Sequence, residues 1–299
     1  MTLFKQMNQF SISQLAQFSG IKAHTIRMWE QRYNALQPNR SEGNTRYYDN
    51  SQLRRLLNIK SLTAGDYKVS ELCVMPDKKL FKLVEEKQNE TINENTDYFV
   101  SQLISAAINF NEILFDKIFS HCILKYGMKD TYLEIIYPVL ARTGLMWCDN
   151  TLPPVNEHFI NNLFRQKIYT AIDSLPPSTD SSTSWLLFLP EDEFHEIGLL
   201  FADYLLRLSG KKSIYLGSNV PLKSLEGIKK EMLPHNILLF FVHNVSVDAA
   251  QKYLNDLCAK FAGKKIFVAA NQELINHTKW KKEIHWLTSV SDFEQELML

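Results

Sequence analysis

Cysteine is scarce and scattered: Cys73, Cys122, Cys148 and Cys258 are the only four in 299 residues, and no two form a C-x-x-C pair. That spacing excludes a disulfide framework and a cysteine zinc site, and it fits a reducing cytoplasm. Any apolar run long enough to cross a bilayer is also missing, so a membrane span is not expected. Residues 1–10 carry no signal-peptide core. There is no internal repeat and no low-complexity tract, and with neither a second catalytic domain nor a zinc-thiolate site to activate a substrate, an enzyme is not expected. Excess charge is lacking as well, with 33 Lys and Arg against 33 Asp and Glu.

What is there begins with a soluble composition, 45% hydrophobic and 22% charged, long enough for two or three domains. The balanced charge is unevenly placed. Residues 1–70 hold ten Lys and Arg against four Asp and Glu, a net +6, so the remainder carries −6. A basic head on an acidic body is the footprint of a polyanion-binding module.

Three zones follow: 1–75, 76–180 and 181–299. The second reads as helices: Leu103, Ile104, Ala107 and Ile108 have helical spacing, as do Ile113, Leu114, Ile118 and Phe119. Longer helices are expected near 130–148 and 155–174, and the polar stretch 85–96 reads as a linker or helix junction. The apolar pattern fades there, so no sustained coiled-coil seam follows the head. In the third zone, short apolar runs at 185–189, 213–216, 237–242, 265–269 and 284–290 alternate with amphipathic segments at 196–209, 222–233, 247–262 and 272–282. That alternation predicts a doubly wound parallel sheet covered on both faces.

In the head, residues 10–20 predict one short helix with Ile12, Leu15 and Ala16 on one face and Gly20 as its stop. Residues 21–33 predict a second, with Ile26, Trp29 and Tyr33 inward and Thr25, Arg27, Met28 and Arg32 pointing elsewhere. Two short helices joined by a glycine turn form a helix-turn-helix, whose second helix fits the major groove. Residues 38–48, a glycine-centred loop between arginines, predict a β-hairpin wing, and a third helix follows at 51–62. Glu30 is expected to partner a nearby arginine.

This run resembles the DNA-binding domain of the MerR family of transcription regulators. The family pattern matches Thr25, Ile26, Arg27, Trp29, Glu30, Arg46 and Tyr47, and the Arg-Met-Trp-Glu-Gln-Arg-Tyr form is similar to the family's cobalamin-dependent branch. The resemblance implies that Thr25, Arg27 and Arg32 approach DNA from the recognition helix, and Arg40, Arg46 and Tyr47 from the wing. Most of those contacts would go to phosphate.

After the first strand of the parallel sheet comes Glu193-x-His195-x-x-Gly198, in the loop where an open α/β sheet binds its ligand. It resembles the cobalamin-binding signature Asp/Glu-x-His-x-x-Gly, which implies His195 as lower ligand to cobalt and Glu193 as the carboxylate orienting its ring. Gly217-Ser218-Asn-Val-Pro221 resembles the same family's Gly-x-x-x-Pro turn, and Ser246 stands nearest to its serine after the third strand. Trp147, separated by nine residues from Glu157-His158, resembles the motif with which a four-helix bundle packs over the upper ligand. Three sites depart from the pattern, the first being Ser246-Val-Asp, which lacks the family's Leu or Thr two residues after the serine. Ala269-Ala270-Asn271 replaces a Gly-Gly, adding two methyl groups where the backbone approaches the buried base, and Cys148 stands where light-sensing members have a histidine. His243, beside the third strand's end, reads as structural.

The expected architecture is mixed α and α/β: winged helix-turn-helix at 1–75, four-helix bundle at 76–180 and Rossmann-like sheet at 181–299. The expected function is a cytoplasmic transcription regulator that binds double-stranded promoter DNA and responds to cobalamin, in particular adenosylcobalamin. As a homo-oligomer (dimer or tetramer) it would act on RNA polymerase indirectly. Two alternatives stand beside it: a degenerate sensor used for another ligand or for oligomerisation, and a cobalamin-dependent methyltransferase.

Overall fold

The computed structural model describes residues 10–40, 45–63, 67–89, 96–148, 153–178, 180–228, 233–242, 245–277 and 281–298. They fall into two compact units, Met1–Phe164 and Arg165–Leu299.

The first unit opens with α1 (Ile12–Ser19), started by a Ser11–Gln14 capping box and stopped by Gly20 at φ +67°. Its buried side chains are Leu15, Phe18 and Ser19, with Ile12 and Ala16 only half-buried. The face is rotated from the expected one because Phe18 packs edge-on against Phe10, ring centroids 5.2 Å apart. Phe10 in turn bridges Tyr48 beyond the wing, a contact that local periodicity does not reveal. Helix α2 (Ala23–Tyr33) buries Ile26 and Trp29 and ends at Asn34 in the left-handed region. Strands β1 (Asn39–Arg40) and β2 (Arg46–Tyr47) pair antiparallel, with Arg40 opposite Arg46. Residues 41–44 of the wing loop lie outside the described residues. Helix α3 (Asn50–Leu62) starts where the Asp49 carboxylate accepts from the Gln52 amide at 3.0 Å.

Two short helices, α4 (Val69–Val74) and α5 (Asp77–Asn89), are held to the head by Arg55 of α3. Its guanidinium donates to the carbonyls of Ala35 (2.7 Å), Met75 (2.8 Å) and Cys73, and to the Asp77 carboxylate. Of the expected linker, 85–89 finish α5, Thr96 opens the next helix, and 90–95 lie outside the described residues.

Four helical rods make the bundle. They are built from α6 (Thr96–Ile108), α7 (Glu112–Thr131), α8 (Tyr137–Cys148), entered through a π-helical turn Tyr132–Ile136, and α9 (Pro154–Asp173). Gly127, at φ 72° and ψ 176°, breaks α7 so that its last turn runs with α8. Phe115 packs on Phe119 and Phe164, centroids 5.6 and 5.3 Å away. Ile113, expected on the packed face, is 84% exposed and Phe115 takes the buried position. Bundle and head are pinned together. Asp97 pairs with Lys60 of α3 (3.1 Å) and Arg142 of α8 (3.0 Å), and Gln102 donates to the Ser61 hydroxyl. Burial alone would raise the Asp97 carboxyl, but hydrogen bonds from Lys60 and Arg142 outweigh it and hold it below the usual carboxylate range.

The second unit is a five-stranded sheet, β3 (Asp180–Pro190), β4 (Lys211–Val220), β5 (Asn236–Phe241), β6 (Lys265–Ala270) and β7 (Ile284–Leu287). All strands are parallel, in the order β4-β3-β5-β6-β7. Leu186, Phe188, Ile237 and Leu239 pack on Leu254, Leu257 and Phe261 of α11 (Val247–Lys260) and its cap. Trp185, pointing the other way along the alternating strand, meets Phe293 of α13 (Val290–Leu297) edge-on. Helices α10 (Ile197–Leu208) and α12 (Gln272–His277) fill the remaining crossovers. Of the segment expected as a helix at 222–233, Leu222–Gly227 is a 3-10 turn that ends at an extended Ile228, and 229–232 lie outside the described residues. Pro221 and Gly227 bracket that turn, and so short a stretch between them favours 3-10 over α-helical geometry.

Candidate functional site

The sheet reverses its winding between β3 and β5, and the loop after β3 lies at that reversal. Glu193 sits there with only 4% of its surface exposed. Its Oε1 faces His195 Nδ1 at 2.7 Å and accepts from the backbone N–H groups of Phe194 and His195, both at 3.0 Å. Its Oε2 accepts from the Val242 amide at the end of β5, at 2.9 Å. A buried carboxylate thus joins the loop to the sheet and holds one imidazole by Nδ1, a contact that fixes the ring's orientation and tautomer. Gly198 lies in the first turn of α10.

The other side of the loop is tied to β4. Asp192 donates its amide to the Asn219 side chain (2.9 Å), and Asn219 donates its own amide to the Glu193 carbonyl (3.0 Å). Both lie in the left-handed region, at φ +65° and +55°, which Asp and Asn tolerate best after glycine. Glu196 reaches back in the same way: its Oε1 accepts from the hydroxyls of Tyr215 (2.7 Å) and Tyr169 (3.4 Å), beside the Arg165 guanidinium. Burial, then the Glu196 carboxylate, push the Tyr215 phenol well above its ordinary value, so it stays a donor. Asn219, Glu196, Tyr215, Tyr169 and Arg165 carry no sequence signal of this role, apart from Asn219 standing inside the Gly217–Pro221 turn.

Gly217, at φ +82°, closes the cluster, since a Cβ there would lie 3.2 Å from Glu196 Oε1. We expect Gly217→Ala to destabilise by about 1–3 kcal/mol, from left-handed strain and that contact together. Thermal unfolding of Gly217→Ala, Glu196→Ala and the pair separates the two. The double variant recovers only the contact part; full recovery would mean that backbone strain contributes nothing.

Ser218 is half-buried on β4. Ser246 has a structural use, its hydroxyl capping α11 by accepting from the Ala249 amide at 3.3 Å. Ala269 and Ala270 are half-buried at the end of β6, and His243 lies outside the described residues. In the first unit, Glu157 and His158 share the first turn of α9, Glu157 accepting from Asn161 and His158 exposed. Trp147 and Cys148 close α8, and their side chains lie outside what is described.

On the head, Arg27 and Arg32 of α2 and Arg40 and Arg46 of the wing are all exposed, with Thr25 and Tyr47 half-buried. Glu30, expected to partner an arginine, accepts from the Tyr48 hydroxyl and lies within the fields of Arg46 and Arg27. Burial, despite Tyr48, Arg46 and Arg27 nearby, raises its carboxyl pKa. The bond ties recognition helix to wing and fixes the spacing of the two basic elements.

Residues 10–73 match the MerR HTH family regulatory protein profile. The chain is 24% identical over 220 residues to the HTH-type transcriptional repressor CarH of Myxococcus xanthus, across 72% of this chain and 73% of the relative. It is 26% identical over 259 residues to the repressor CarA of the same organism, across 84% and 83%. Among solved structures it is similar to the Methanosarcina barkeri monomethylamine corrinoid protein, with TM-score 0.54 and 12% identity over 68% of this chain and 99% of that one. The last is a likeness of fold. The head is thus a MerR-type helix-turn-helix on a chain related along most of its length to two repressors.

Proposed function

We propose that this chain is a transcription regulator whose grip on promoter DNA is modulated by cobalamin held on the parallel-sheet domain. The observation that carries the sensor is the buried Glu193 holding His195 by Nδ1 at the sheet's reversal point. A lone imidazole oriented by a carboxylate suits an ion whose remaining ligands come with its own macrocycle, and among the described residues no cluster of three or more ligating side chains exists to hold a bare metal. Bound cobalamin would supply a cobalt centre, and His195 is the residue that would hold it. Glu193 keeps His195 in a single tautomer, and the ties to β4 and β5 hold the loop rigid. By the family resemblance we assign Gly198, Gly217, Ser218 and Ser246 of the sheet domain, and Trp147, Glu157 and His158 of the bundle, as further cofactor-binding residues.

Kinship with CarH and CarA, both repressors, and the corrinoid-protein fold support the reading. Adenosylcobalamin is the form we assign, with a dimer or tetramer as the responsive state, RNA polymerase affected indirectly and regulation in place of turnover. Its test is the visible absorption spectrum of the protein after incubation with adenosylcobalamin, together with DNA binding with and without it. A second reading, a sensor that has lost its ligand, rests on the methyl groups of Ala269 and Ala270.

The DNA side has its own test. Arg27→Ala and Arg46→Ala should each weaken operator binding and flatten its salt dependence by about one unit per lost phosphate contact. Unchanged affinity and slope in both variants would sink these assignments.

A further inference from the structure

We infer that base sequence is read by a stripe of α2 made of His24, Met28 and Gln31, with Arg27 and Arg32 turned to the two phosphate walls. This rests on the DNA-binding reading above and deepens it. Ile26 and Trp29 are buried, 0% and 8% exposed, and define the inward direction of the helix. At about 100° per residue, His24, Met28 and Gln31 fall within a sector of about 60° opposite that direction. All three are exposed, and Met28 is 38% so. Arg27 lies on one flank of the stripe and Arg32, near Thr25, on the other. The outermost stripe of a helix in the major groove meets base edges, whereas its flanks meet the backbones on either side.

The chemistry of the three side chains agrees. Gln offers one donor and one acceptor on a planar amide, the pattern that pairs with adenine N6 and N7, and an apolar side chain suits the thymine methyl. A methionine left in water gains nothing, while its flexible thioether packs well once covered. His24 stands at the helix start with Nε2 3.3 Å from the Thr25 hydroxyl, which steadies its ring beside the stripe. Met28 and Gln31 are separated by about 4.5 Å along the helix axis, close to one base step, so they should read neighbouring A·T pairs.

The experiment is selection from a randomised double-stranded DNA library with the full-length chain and with Met28→Ala, Gln31→Ala and Arg27→Ala. We expect the wild type to enrich one motif. Gln31→Ala should lose preference at one adenine in each half-site, by roughly five- to a hundredfold in relative affinity, and Met28→Ala at the adjacent thymine. Arg27→Ala should enrich the same motif with lower affinity for every sequence. If Gln31→Ala and Met28→Ala bind DNA and return the wild-type motif with unchanged base weights, the stripe does not read sequence. If the wild type binds no DNA even at low salt, the regulator reading fails and takes this assignment with it. The exposed positions of all three side chains leave the fold intact, which circular dichroism of each variant checks.

Discussion

His195→Ala is expected to abolish the absorption signature of cobalamin held by a protein imidazole, leaving the unfolding temperature of the sheet domain nearly unchanged. The ring is 38% exposed, and without it Glu193 still accepts from the backbone amides of residues 194, 195 and 242. Glu193→Gln should be milder in one respect and harsher in another. The amide oxygen can still accept from the loop, so His195 keeps an orienting partner, and affinity should fall by about ten- to a hundredfold. The new amide nitrogen, however, faces the Val242 N–H where Oε2 had accepted it. Two donors in a buried place cost stability that His195→Ala does not. Retention of the signature by His195→Ala would overturn the ligand assignment. Introducing Gly at both 269 and 270 separates a crowded pocket from a lost one. Tighter binding would mean the methyl groups only narrow the channel, and no spectrum from either protein would leave the sensor degenerate.

The second large effect concerns Arg55, which serves α3, α4 and α5 at once. With 15% of its side chain exposed it satisfies three backbone carbonyls and one carboxylate. Arg55→Ala should destabilise the first unit by about 3 kcal/mol, the scale of losing charge-assisted hydrogen bonds and stranding acceptors. For a unit of this size that is a drop of roughly 6–12 °C in melting temperature. Arg55→Lys should recover less than half of it, because an ammonium cannot reproduce the planar fork. A melting curve for Arg55→Ala that overlays the wild type would show that other contacts hold α4 and α5.

Why Arg55 was illegible is instructive. As one of ten basic residues in a head that binds polyanions, it reads as part of the DNA face, and only its partners some twenty residues away reveal a strut. The same limit hides the Glu30–Tyr48 bond and the rotation of α1 toward Phe10. Periodicity reports which side of a helix is apolar, not which distant ring will meet it. Gly127 likewise reads as an ordinary glycine until a positive φ shows it breaking α7. What was legible rested on local chemistry. Ile26 and Trp29 follow helical spacing into the core, the five apolar runs became five parallel strands, and Glu193 stands two residues from His195, within reach of its ring.

The Asp97 bridges to Lys60 and Arg142 have a consequence for how the protein searches for its site. Arg142 lies against the turn at Gly20, where a Cβ would come 3.4 Å from its Nη2. A head on a slack tether reorients in solution faster than the body it hangs from and samples many angles in each encounter. Here Asp97, Lys60, Arg142 and Gln102 join helix-turn-helix to bundle, so the recognition helix is expected to meet a duplex at an angle set by α8. A tether of that kind would trade the range of angles sampled in one encounter for a fixed presentation of the helix.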